Sequence, residues 1–124
     1  MSELIADAGR MAAMFRGFSG GYGTYDVRLL GKAKGKQKVP QFMVKKPPTI
    51  DLFKAHLSGQ TPVGIYLLDD DEQVSFGAID IDVYPIDLGA LANRLDKLSL
   101  PLIVCNSKSG GAHIYVFFET PQDP

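Results

Sequence analysis

The sequence predicts an α+β domain, a mixed sheet with flanking helices, on three observations. Apolar residues recur at helical spacing near the start and again over residues 86–98. Short apolar runs of strand length crowd the stretch after Pro62. Glycine, proline and Asp-rich breaks separate these runs at short intervals, which gives the order β-β-α-β-β from Pro62 onward.

Ser2 to Phe15 places Leu4, Ile5, Ala8, Met11, Ala12 and Phe15 on one helical face, with Ser2 set to cap it. Phe18 to Tyr25 is a glycine-rich turn leading into a strand that continues through Leu30. Gly31 to Lys38 reads as a basic hairpin tip and Val39 to Val44 as the return strand, stopped by Pro47-Pro48. Thr49 is an N-cap for a short helix from Ile50 to Leu57, closed at Ser58-Gly59. Val63 to Leu68 reads as a strand, Asp69 to Gln73 as a solvated turn and Val74 to Val83 as a second strand. After Pro85 comes an amphipathic helix, Ile86 to Leu98, then strands over Leu102 to Cys105 and Ala112 to Phe118. The 124 residues suit one domain, with a helix, basic hairpin and short helix in 1–61 and a sheet in 62–124. A strong strand followed at once by T-P-Q-D-P suggests a fragment of a longer polypeptide.

With 45% hydrophobic and 22% charged residues, the composition is that of a globular chain and excludes a disordered one. No apolar run approaches the roughly 18 residues that span a bilayer, and the acidic N-terminus lacks the apolar core of a signal peptide. A soluble, cytoplasmic protein with no membrane partner is expected. The single cysteine, Cys105, excludes an intramolecular disulfide and a thiolate zinc site. The net charge of −1 conceals a segregation: seven basic residues and no acid from Val27 to Ile50, against eight acids and one base from Asp69 to Asp96. Such runs can meet phosphates and metal ions respectively, or simply be solvated loops.

Two motifs carry chemistry. In Gly77-Ala78-Ile79-Asp80-Ile81-Asp82-Val83, alternation along a strand puts Asp80 and Asp82 on one face, roughly 6–7 Å apart at the backbone. Buried there, the pair would need a partner, and a divalent cation with oxygen ligands, Mg²⁺ or Mn²⁺, supplies one. At a fraying strand end the same pair would face solvent instead. In Asn106-Ser107-Lys108-Ser109-Gly110-Gly111-Ala112-His113, hydroxyls, an ammonium and two glycines can cradle a phosphate, with backbone N–H groups forming an anion nest and His113 donating beside it. The alternative is a Ser/Gly hairpin turn. With one crossover helix between them, the two motif strands are expected to run parallel as neighbours. Acids and cradle together suit phosphoryl or nucleotidyl transfer.

Asp80-Ile81-Asp82 followed by Ser109-Gly110-Gly111-Ala112-His113 resembles the first two motifs of the archaeo-eukaryotic primase superfamily, closest to the primases of TOTE-type conflict systems. The likeness is strong over 76–118 and fainter over Tyr22 to Leu67. It implies an RRM-like primase-polymerase core, here partial, that carries out template-directed, two-metal nucleotidyl transfer. Asp80 and Asp82 would bind metal, and Ser109 and His113 would contact the triphosphate, assisted by Ser107, Lys108, Gly110 and Gly111. The implied partners are nucleoside triphosphates, a single-stranded DNA template and the rest of a longer polypeptide or a helicase. The family's third acid lies on a later strand, and neither Glu119 nor Asp123 sits in a motif that would supply it.

The basic tip (Lys32, Lys34, Lys36 and Lys38) would hold a template backbone, and Tyr22 would stack on a base. Arg16 can face phosphates or cap the first helix; His56 reads as structural and Cys105 as a small core residue. Two other functions fit parts of the pattern: a non-catalytic module binding nucleotide or single-stranded nucleic acid, and a metal-dependent nuclease.

Overall fold

A computed structural model describes residues 2–31, 38–108 and 110–124. Among them are helices α1 (Ser2–Met14), α2 (Ile50–Leu57) and α3 (Leu88–Lys97), and strands β1 (Tyr22–Tyr25), β2 (Gln41–Val44), β3 (Val74–Ile81), β4 (Ile103–Asn106) and β5 (Ala112–Gln122). The α+β expectation holds: β1 and β2 form one small antiparallel sheet, and a second has the order β3-β5-β4. The described residues fall into two compact units, one drawn from 1–31, 38–76 and 118–124, the other from 77–117.

In the first unit α1 packs on α2, and Ala8 of α1 is fully buried. Phe53 of α2 is buried, and Phe15 sets its ring edge against buried Phe76, with centroids 5.1 Å apart and planes at 72°. Thr49 caps α2 as its sequence suggested, its hydroxyl accepting from the Leu52 N–H at 3.2 Å. Gly59 ends the segment at φ +75°, where a side chain would be strained. His56 is held structurally, its Nδ1–H donating to the Thr61 carbonyl at 3.0 Å. Arg16 lies just past the end of α1 and lines an open pocket of about 300 Å³ with Phe15, Phe18, Pro47 and Phe53.

One expected strand is cut short and another is absent. The strand through Leu30 stops at Tyr25 because the Asp26 carboxylate accepts from the Arg28 N–H at 3.0 Å and turns Val27–Leu29 into a 3-10 helix. Val63 to Leu68 is no strand, because its backbone divides between two neighbours. Gly64 exchanges hydrogen bonds with Gly23 at 2.7 and 2.8 Å, while the Tyr66 carbonyl accepts from Phe18. That leaves a lone bridge beside β1, so the second half reads β-α-β-β. The Asp69–Gln73 turn is organised by Asp69, whose Oδ1 accepts from the Asp71 and Gln73 N–H groups, both at 2.9 Å. Asp70 accepts from the Ser19 hydroxyl and N–H, and these hydrogen bonds hold its carboxyl below the usual range.

In the second unit α3 begins at Leu88, capped by Asp87, which accepts from the Ala90 N–H at 2.9 Å. It packs on β4, and β4 pairs antiparallel with β5 in the register Ile103↔Tyr115 and Cys105↔His113. Ala112 and Ile114 are buried on one face of β5. β5 lies between β3 and β4, so the two motif-bearing strands joined by α3 are not the neighbours the crossover suggested. The β5 strand pairs with both and separates them. Among the described residues no helix is long and apolar enough to cross a membrane.

Two outcomes follow from this packing. Phe53→Ala should destabilise the chain by about 3–5 kcal/mol, read from urea unfolding, whereas Ile50→Ala at the half-exposed start of α2 costs less. The Arg28 guanidinium, bonded to Asp26 at 2.6 Å, holds the Asp26 carboxyl at about 2. Its contribution to folding is therefore present above the ordinary carboxyl pKa and is lost as pH falls through about 2. A carboxyl-carbon NMR titration should place the Asp26 midpoint there, and Arg28→Gln should raise it.

Candidate functional site

The acid strand and the glycine loop meet inside the second unit. Gly111 has no room for a side chain: a Cβ built on it would collide with the Ile81 carbonyl oxygen and lie 3.4 Å from the Ser107 hydroxyl oxygen. Because Asp80 precedes Ile81 and His113 follows Gly111 by two, this backbone approach brings the two motifs together. His113 Nε2 lies 3.4 Å from Asp80 Oδ1 across the sheet face. The other ring nitrogen, Nδ1, is 3.2 Å from the Tyr115 hydroxyl.

Asp80 is not buried: its side chain is 60% exposed, which is the solvent-facing alternative for the acid pair. β3 ends at Ile81 rather than Val83 and leaves Asp82 just past the ladder on exposed chain. There Asp82 Oδ1 accepts from the Tyr84 hydroxyl at 3.1 Å. Both carboxylates are hydrated, so burial does not oblige them to take a cation, although their oxygens stay accessible to one. Among the described residues no group of three or more His, Cys, Asp or Glu side chains gathers closely enough to hold a metal.

The loop closes on itself. Ser107 is buried, and its hydroxyl accepts from the Gly111 N–H at 3.0 Å. The Gly110 N–H donates to the Ser107 carbonyl, and the Ser107 N–H to the Gly111 carbonyl, each at 3.1 Å. Gly110 stands at φ +90°, a conformation only glycine takes without strain. The glycine amides expected to form an anion nest are thus turned inward, and Ser107 braces the loop. Lys108 is exposed beside it. Of the other expected residues, Tyr22 and Lys38 belong to the first unit, whereas Lys32, Lys34, Lys36 and Ser109 lie outside the described residues.

Two side chains at the site were not singled out from the sequence: Tyr84 reaches Asp82 and Tyr115 reaches His113. Cys105, expected in a core, is exposed and faces His113 across the ladder. Strand alternation could have found Tyr115, because positions 113 and 115 share a face. Burial, followed by the charges of Cys105 and Asp80, raises the Tyr115 phenol above its ordinary value, so it stays protonated.

The family model for the TOTE conflict system archaeo-eukaryotic primase domain matches residues 16–123, most of the chain. The chain belongs to that family. Membership implies a primase-type nucleotidyltransferase acting on nucleotide and DNA substrates, and this family of primases generally uses divalent metals. A search among curated proteins returned no match.

The loop geometry of this primase domain makes a stability test direct. Ser107→Ala leaves the Gly111 N–H buried without its acceptor and should cost about 1–3 kcal/mol. Gly111→Ala, which drives a methyl into the Ile81 carbonyl, should cost about 1–3 kcal/mol or more. Urea midpoints check both.

Proposed function

We propose that the chain carries part of a template-directed nucleotidyl-transfer site, DNA primase or polymerase in type, with Asp80 and Asp82 as metal ligands and the 106–111 loop with His113 facing the incoming triphosphate. The observation that carries the reading is the approach of Asp80 to His113 at 3.4 Å, which puts a metal-type ligand and a phosphate-type donor on one surface. The strand order supports it too: β3, then α3, then a β4-β5 hairpin whose last strand enters between the others agrees with the first four of the six elements in a βαββαβ plan.

The donor set fits the metal. Mg²⁺ and Mn²⁺ favour oxygen ligands, and Mg²⁺ is commonly held by one or two carboxylates together with waters and substrate phosphates. Asp80 and Asp82 would hold it. When bound, such ions supply charge neutralisation on the triphosphate and align the attacking and leaving oxygens. The protein's own groups do the rest. His113 presents Nε2 toward an anionic neighbour, a carboxylate here and a phosphate oxygen when nucleotide is bound. Lys108, and Ser109 with the glycines, contribute charge and shape to the cradle. Lys32, Lys34, Lys36, Lys38 and Tyr22 would hold the single-stranded template, with an affinity that falls as salt rises.

A second reading, non-catalytic binding of nucleotide or single-stranded nucleic acid, is favoured by one observation: no third acid joins Asp80 and Asp82 among the described residues. Calorimetry separates the two. Nucleoside triphosphate should bind in Mn²⁺, lose about tenfold or more of its affinity in EDTA, equivalent to about 1.4 kcal/mol, and lose as much when Asp80 and Asp82 become alanine. Binding indifferent to EDTA and to both substitutions would place the non-catalytic reading first.

A further inference from the structure

His113 is held from both sides. On β5, His113 and Tyr115 share a face, their rings edge to face with centroids 6.0 Å apart and planes at 73°. The Tyr115 hydroxyl is 3.2 Å from Nδ1, and Asp80 Oδ1 is 3.4 Å from Nε2. Tyr115 in turn stacks on Phe117, with centroids 6.1 Å apart and planes at 29°. We propose that Tyr115 is a positioning residue for His113, its hydroxyl donating to Nδ1 and thereby keeping the proton of the neutral imidazole on Nε2. This inference rests on the proposed nucleotide-binding role of His113 and deepens it.

The geometry favours one hydrogen placement. A carboxylate oxygen accepts, so Asp80 at 3.4 Å favours hydrogen on the nitrogen that faces it. A neutral imidazole has one N–H, and Nδ1 is then a lone pair that needs a donor. A phenol O–H is such a donor, and the raised pKa of Tyr115 keeps it protonated in mildly alkaline solution. A triphosphate oxygen is likewise an acceptor, so the same tautomer serves the free site and the filled one. Without the hydroxyl, the other tautomer becomes accessible and turns a lone pair on Nε2 toward an anion, which repels it. The stack on Phe117 limits the swing of the Tyr115 ring and holds its hydroxyl at the nitrogen.

Nitrogen-15 NMR of the histidine rings tests this in the 124-residue chain with neither metal nor nucleotide present, so the result is independent of whether the chain transfers nucleotides. The spectrum is taken in mildly alkaline solution, where free imidazole is neutral. In the wild type, His113 should show a pyrrole-type Nε2 and a pyridine-type Nδ1. His56, whose Nδ1–H faces the Thr61 carbonyl, should show the opposite pattern and so serves as an internal standard. Tyr115→Phe keeps the ring and its stack but removes the hydroxyl. It should move both His113 nitrogens toward the averaged positions of mixed tautomers, with His56 unmoved. A folded Y115F chain with the wild-type His113 pattern overturns the proposal. So does a wild-type His113 with its proton on Nδ1, an outcome that needs no variant to be read.

Discussion

The second unit depends on a missing side chain. Where Gly111 passes Ile81, loop backbone lies against strand backbone at a separation that excludes even a methyl group. That approach fixes the spacing between the acid strand and the histidine strand, and the Ser107–Gly111 hydrogen bonds keep the loop folded in the shape that permits it. The 3.4 Å meeting of Asp80 and His113 is downstream of this contact. Neither side chain is buried deeply enough for their attraction to organise the chain, since exposed pairs of this kind are worth little on their own. Backbone packing assembles the site, and the charges are carried on it.

Keeping Asp80 and Asp82 hydrated has a physical consequence for the chemistry proposed. A buried acid pair would have to be desolvated together, whereas exposed carboxylates exchange ligands readily. Asp82 accepts from the Tyr84 hydroxyl, and Asp80 has His113 Nε2 at 3.4 Å, with both carboxylates exposed. A site made this way is open to an entering cation and an entering phosphate alike. Selectivity must then come from what the loop and Tyr115 do to the orientation of donors.

Much of this was legible in the residues. Thr49 and the helix it caps, the hairpin return at Val44, the turn around Asp69 and the two motifs all follow from local rules of capping, alternation and turn chemistry. What was not legible was decided at a distance. The apolar run from Val63 to Leu68 has strand composition, but Phe18 and Gly23 compete for its backbone and leave one bridge. Nothing in the pattern of β3, α3 and β4 tells that β5 will slip between the strands, because strand order is a tertiary choice among similar apolar faces. The inward turn of the glycine amides was missed for a related reason. A Ser-Gly-Gly loop can offer its N–H groups to an anion or to its own serine, and which it does depends on the packing beneath it. Tyr115 was within reach of simple strand alternation, whereas the Tyr84–Asp82 contact lies beyond the end of the ladder, where alternation no longer applies.

The position of β5 also bears on the order in which the molecule can take shape. The central strand of the β3-β5-β4 sheet is the last of the three in the chain. During synthesis β3 and β4 emerge with no ladder partner in each other, and each must wait, edges bare, until residues 112–122 leave the ribosome. The ladder on both sides depends on β5, so the sheet forms late. Interrupting synthesis shortly before Ala112 would release β3 and β4 without their shared ladder partner, a state open to chaperone capture and to pairing between chains.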